Sequence, residues 1–266
     1  MRLILTSIFI VLIAALVSCS KEDENADPNY PTTINALTSA EIDQLFADLS
    51  GTPFYQCTSV DTFGHCYITL KNRDCGKFDS IDVIYSANEL SKLFFETILD
   101  YGTFLNVTDT SGIRIASIQN LNGMDFEKFT ATYPDSTTPG WIISSNRQVI
   151  KGHEIPGTEI KVLIYFDQVR SIEGKRYSDL YIPLSDAYTE IQAQESILNK
   201  EFTYIGTTLK VTESTYWNKS EKIIFPTTKS GKIELRVCWA LYPESWQVIV
   251  DTQTGKALTS VNLDKL

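Results

Sequence analysis

Apolar positions along this chain keep switching between two periods, one helical and one alternating. In Thr38-Ser39-Ala40-Glu41 a hydroxyl stands three residues before a glutamate, which is capping-box spacing. Ile42, Leu45, Phe46 and Leu49 then recur on one helical face until Gly51 stops it. Strands are expected at about 53–60, 65–71 and 80–85. A second capping box, Ser86 to Glu89, opens a helix through Leu90, Leu93, Phe94, Thr97 and Ile98 that ends near Gly102. Alternation predicts strands at about 113–119, 125–133, 141–149 and 159–166, with Ile160, Val162, Ile164 and Phe166 on one side of the last. A third helix is expected from Ser185 or Asp186 to about Asn199, burying Tyr188, Ile191, Ile197 and Leu198. Strands follow at about 207–217, 221–226, 233–242, 246–251 and 257–262; Leu235, Val237, Trp239 and Leu241 share a side, which reads Trp239 and Trp246 as core.

Single helices followed by runs of strands with hairpin-length links imply an α+β fold. It consists of antiparallel β-sheets, each packed on one face by a helix, in helix-then-hairpin units. The expected division is a leader at 1–18, a flexible acidic tether at 19–35, a helix with hairpins at 36–85, and two further units at 86–180 and 181–266.

Composition changes this picture little. With 43% hydrophobic and 21% charged residues, the 266-residue chain reads as globular. A net charge of −10 without any basic block excludes nucleic acid as a partner class. The N-terminus adds more. Its apolar run, Leu3 to Val17, is shorter than the roughly 20 residues a spanning helix needs and has signal-peptide length. Leu16-Val17-Ser18-Cys19 resembles the lipobox of bacterial lipoproteins, which implies acylation of Cys19, a palmitate-bearing bilayer anchor. Ser20-Lys21-Glu22-Asp23-Glu24 resembles an export tag that sends such proteins to the exterior of the outer membrane.

Candidate chemistry is sparse. In an oxidising compartment Cys57, Cys66, Cys75 and Cys238 admit three full pairings. Reading Asp61 to Gly64 as a hairpin loop sets Val60 opposite His65 and Cys66 opposite Ser59, so Cys57–Cys75 is the preferred bridge and Cys238 a small core residue. The two histidines, His65 and His153, read as loop residues. His153-Glu154 runs into Pro156 with no second His, which excludes a zinc-protease helix. No nucleophile elbow, phosphate-cradling Gly loop or Cys-x-x-Cys occurs. The expectation is no enzyme, no cofactor and no metal. Trp141 and Trp217, in polar surroundings, supply an alternative: ligand-stacking platforms of a glycan- or small-ligand-binding lipoprotein for nutrient capture.

The stretch Glu234 to Leu258, with Val248-Ile249-Val250-Asp251 leading to Thr254-Gly255, resembles the last hairpin of PepSY-type (cystatin-like) domains. Asp251 is suited to accept amides two residues ahead, and Gly255 to adopt the positive φ of such a turn. Before it, Ile155-Pro156-Gly157, the strand Ile160–Phe166 and the return Val169, Ser171 and Gly174 resemble the fungalysin/thermolysin propeptide domain. Across about 86–266 the two likenesses stand in the order of protease propeptides, without the protease. His153 and Glu154 depart from the motif as an insertion, and 36–85 has no counterpart. The resemblance implies a surface protein that binds another extracellular protein and inhibits or assists a secreted metalloprotease in trans.

Overall fold

A computed structural model describes residues 29–69, 84–134, 136–138 and 140–266. Cys19 and Cys75, most of the expected leader and tether, and most of the strand expected at 80–85 lie outside the described residues. No described helix is long and apolar enough to cross a membrane. In chain order the elements begin with β1 (Thr32–Asn35), α1 (Ser39–Ser50), β2 (Thr58–Val60), β3 (Cys66–Ile68) and α2 (Ala87–Leu105). Next come β4 (Ile115–Asn120), α3 (Phe126–Thr132), β5 (Gly140–Ser145), β6 (Gln148–Ile150), β7 (His153–Ile155), β8 (Lys161–Tyr165) and β9 (Gln168–Glu173). The last are α4 (Glu190–Ser196), β10 (Glu201–Tyr204), β11 (Thr207–Lys210), β12 (Glu221–Lys229), β13 (Lys232–Leu241), β14 (Trp246–Asp251) and β15 (Ala257–Asn262). The fold is α+β, with several sheets whose pairings are almost all antiparallel.

Both expected capping boxes form. Thr38 and Ser86 accept from the backbones of Glu41 and Glu89, whose carboxylates return to the cap amides at 2.7 Å. The hydrogen bonds from these caps hold the Glu41 and Glu89 carboxyls below their ordinary pKa. Leu90, Phe94, Ile98 and Leu105 of α2 share one core with Ile143, Ile160, Val162, Ile164 and Ile172 of the four-stranded sheet β4-β5-β8-β9 and its edges. Each such burial contributes about 1.5–3 kcal/mol. Strand β8 lies between β5 and β9, and Leu163 is buried as well as Val162 and Ile164, so this strand does not alternate.

The larger sheet runs β15-β14-β13-β12-β7-β6, with β1 also paired to β13. Two features depart from the expected division. Thr32–Asn35, placed in the tether by composition, pair in register with Leu235–Lys232. The boundary expected at 180 is crossed by this sheet, since Glu154 of β7 bridges Ile223 of β12. The Asp251 turn forms as expected: its Oδ1 accepts from Gln253 N (2.7 Å) and Thr254 N (3.1 Å), and Gly255 has φ 64°. A side chain at 255 would also collide with the Tyr188 ring, 2.5 Å from the position of a Cβ.

Other elements correct the sequence reading. Residues 126–132 are a helix, because Phe126, Phe129 and Tyr133 recur at helical spacing and Phe126 and Phe129 meet Trp141. The third helix begins only after Thr189, whose hydroxyl forms a capping box with Gln192; Ile191 is 67% exposed, while Ala193 and Ile197 are buried. The 207–217 strand stops at Lys210 and pairs with β10 through a tight turn at Ile205 and Gly206, both with positive φ.

Candidate functional site

The first hairpin is one residue out of the expected register. Val60 pairs with Cys66 and Ser59 with Tyr67, because Asp61 N donates to His65 O and Asp61 Oδ1 accepts from Phe63 N and His65 N. Asp61 thus closes a loop that includes His65. His65 Nδ1 lies 3.2 Å from Asp61 Oδ2, and Nε2 lies 3.3 Å from the Tyr177 hydroxyl. Burial pushes the His65 pKa down, against the opposing charge of Asp61. The phenol of Tyr177 is pushed up to about 12 by burial. This Asp–His–Tyr line therefore ends on a hydroxyl poorly suited to act as nucleophile or base at neutral pH. His153 lies on β7 instead of in a loop, and burial lowers its pKa too. Among the described residues no group of three or more His, Cys, Asp or Glu is placed to hold a metal ion.

The sequence-predicted stacking residues are not brought together. Trp141 is 4% exposed and enclosed by Phe126 and Phe129, with ring centroids at 5.1 and 5.4 Å, so it offers no face to a ligand. Ser136 and Thr137, which precede it in sequence, are exposed. Trp217 packs partly buried against the separate cluster of Leu241, Trp246 and Val248 and bridges Pro243. Of the cysteines, Cys57 is disulfide-bonded, while Cys66 and Cys238 are buried free thiols. Burial raises the Cys66 pKa to about 11 and that of Cys238 well above its ordinary value.

Instead, the structure assembles a pocket of about 420 Å³ where the end of α2, the start of β4, the β5–β6 turn and the segment after β9 meet. Three amide side chains build it. Asn106, in the left-handed region that ends α2, donates from Nδ2 to Arg176 O at 2.9 Å. Asn146 Oδ1 accepts from Arg114 N (2.8 Å), and its Nδ2 donates to Gly112 O (3.2 Å) and Arg147 O (3.0 Å). Gln148 pairs with the Tyr177 backbone, Nε2 to O at 2.6 Å and Oε1 from N at 2.8 Å. Such side-chain-to-backbone bonds fix loops that no ladder holds.

Beside this pocket lies an open sheet edge. In the four-stranded sheet β9 is flanked by β3, where Cys66 and Gly174 form an antiparallel bridge. At the other end β4 is the outermost strand, six residues long and bulged at Ala116; Gln119 is bridged on its outer side by Asp125, Ala116 is exposed, and Ile115, Ser117 and Ile118 are half-buried. Arg114, which lines the pocket, immediately precedes β4, so the edge leads into the pocket. Sequence reading located β4 but not the pocket, whose walls come from segments far apart in the chain.

No family profile matches this chain, and no curated protein matches it. Among solved structures it is similar to the C-terminal domain of YpeB from Bacillus megaterium, with 11% sequence identity and a TM-score of 0.34. That match covers 86% of this chain and 99% of the other.

Proposed function

We propose that this chain is a non-catalytic, lipid-anchored surface protein that binds an extended segment of another polypeptide by strand addition to β4. The observation that carries this reading is the outer flank of β4 over Ile115–Ile118, which no other described strand pairs. Unpaired N–H and C=O groups along such an edge are a template for an incoming strand, and alternate side chains beside it select the sequence. The Cys19 acyl anchor and the outward-facing outer-membrane location rest on the lipobox and the acidic run behind it. The propeptide-like and PepSY-like motifs favour a secreted metalloprotease as the partner, inhibited or assisted in trans. Of the turns that carry these motifs, the Asp251 turn forms its amide hydrogen bonds and Gly157 has φ 78°.

A photo-crosslinking residue at Ala116 of the full chain in intact cells tests the reading, with the exposed helical residue Glu195 as control. The expected result is a polypeptide adduct at 116 that is absent at 195. Equal adducts at both sites, or none at either, would overturn strand addition. Cys19→Ser should abolish acyl labelling and membrane retention; a retained label refutes the anchor. Unchanged activity and no co-purification with the secreted zinc proteases of the host would remove the protease as partner.

A further inference from the structure

From the pocket beside β4 we infer a binding site for a carboxylate group, gripped by the guanidinium groups of Arg176 and Arg114. This site stands whether or not a polypeptide adds to β4. Arg176 is 8% exposed, and no carboxylate lies within ion-pair distance of it among the described residues. Its Nη2 donates to Ser145 Oγ (3.1 Å) and Asn146 O (2.8 Å), while Nε is enclosed without a partner. No hydrogen bond of Nη1 is found among the described residues, and Arg176 lines the pocket. A buried guanidinium is costly unless its charge is met. Two less buried guanidiniums do have carboxylate partners: exposed Arg147 pairs with Glu154 and Glu159, and half-buried Arg236 with Glu234 and Asp251. Arg176 has only the more distant field of Glu159, and burial lowers its pKa.

The second guanidinium has the same vacancy. Arg114 is exposed on the same wall and forms no ion pair among the described residues, in a chain whose net charge is −10. The third charged group on the wall, Asp109, is occupied in its own turn, where its Oδ1 accepts from Ser111 N at 2.6 Å. Two guanidiniums less one carboxylate leave a single positive charge in excess, which suits a monoanionic carboxylate better than a phosphate dianion. Val107, Ile113 and Val149 supply apolar wall for a short aliphatic stem behind it. The volume is within the range of small-ligand sites, roughly 300–1,000 Å³.

Calorimetry on residues 29–266 tests the site with butyrate, a monocarboxylate, and inorganic phosphate as probes. Saturable butyrate binding, tighter than phosphate, is expected. Arg114→Gln, at an exposed position, should weaken it by about tenfold, the equivalent of roughly 1.4 kcal/mol. Arg176→Lys keeps the charge but loses the planar guanidinium that Ser145 and Asn146 orient, and should weaken it comparably. A short peptide carrying one Glu, with blocked termini, separates the sources of the carboxylate. Tighter binding of the peptide than of butyrate assigns the site to a polypeptide side chain, and the reverse assigns it to a free acid. No saturable binding of either carboxylate probe, phosphate binding more tightly, or Arg114→Gln leaving the affinity unchanged would overturn the inference. None of these results moves the crosslink at Ala116, so the two readings fail separately.

Discussion

Removing the Asp251 carboxylate is the sharpest perturbation of the C-terminal hairpin. Asp251 is fully buried at the end of β14 and does three jobs. Its Oδ2 is ion-paired with Arg236 Nη1 from β13; its Oδ1 holds the amides of Gln253 and Thr254 and accepts from Tyr30 OH at 3.4 Å. Asp251→Ala strips the half-buried Arg236 guanidinium of one partner; breaking a fully buried pair typically costs about 3–5 kcal/mol. Arg236 keeps Glu234, at 3.0 Å from Nε and 2.8 Å from Nη2, which places the ionic part near the lower end. The two turn amides lose their acceptor as well, and exposure to water in the turn limits that loss to about 1–2 kcal/mol. A total of roughly 4 kcal/mol follows from these two estimates. Asp251→Asn retains an acceptor for the turn and gives up only the charge, so it should cost less, about 2–3 kcal/mol. Urea unfolding of residues 29–266, followed by tryptophan fluorescence, reads both values. A cost below about 1 kcal/mol for Asp251→Ala would refute the reasoning, because a buried carboxylate with these partners cannot be that cheap to delete.

Three other outcomes follow from the same structure. Trp141→Ala should destabilise by about 3–5 kcal/mol in urea unfolding, since it empties the space between Phe126 and Phe129. The folded pKa values of His65 and His153 lie below the ordinary 6.5, so the unfolded chain binds more protons as pH falls through that value. Stability is then fully present above about pH 6.5 and is lost as pH falls toward the folded pKa values, and His65→Gln should flatten this slope in unfolding measured across that window. Cys66 and Cys238 should resist alkylation in the native protein at neutral pH and react on unfolding, as non-reducing peptide mapping would show; Cys57 should appear only in a disulfide.

What could be read from the residues was what depends on near neighbours in the chain. The boxes at Thr38 and Ser86 are three-residue rules with a reciprocal hydrogen bond, and both formed. The Asp251 turn is equally local. Misreadings arose where a distant partner decided. Phe126-Glu127-Lys128-Phe129 has aromatic, β-prone composition, but Trp141 rewards helical spacing of the two phenylalanines. Thr32–Asn35 looked like tether because a four-residue strand has almost no periodicity until β13 supplies its ladder. The hairpin at Asp61 slipped by one residue because a carboxylate, not a tight turn, closes it. Arg114 and Arg176 carried no local signal at all, being joined only by Asn146, which bonds the backbone of one and accepts on its own backbone from the side chain of the other.

Hydrogen–deuterium exchange on the partner captured through Ala116, mixed with residues 29–266, addresses strand addition itself. The account predicts that amides of Ile115–Ile118 that face away from β5 slow on binding while the β13–β14 amides do not change. Protection confined to any other strand, with β4 exchanging as fast bound as free, would contradict it.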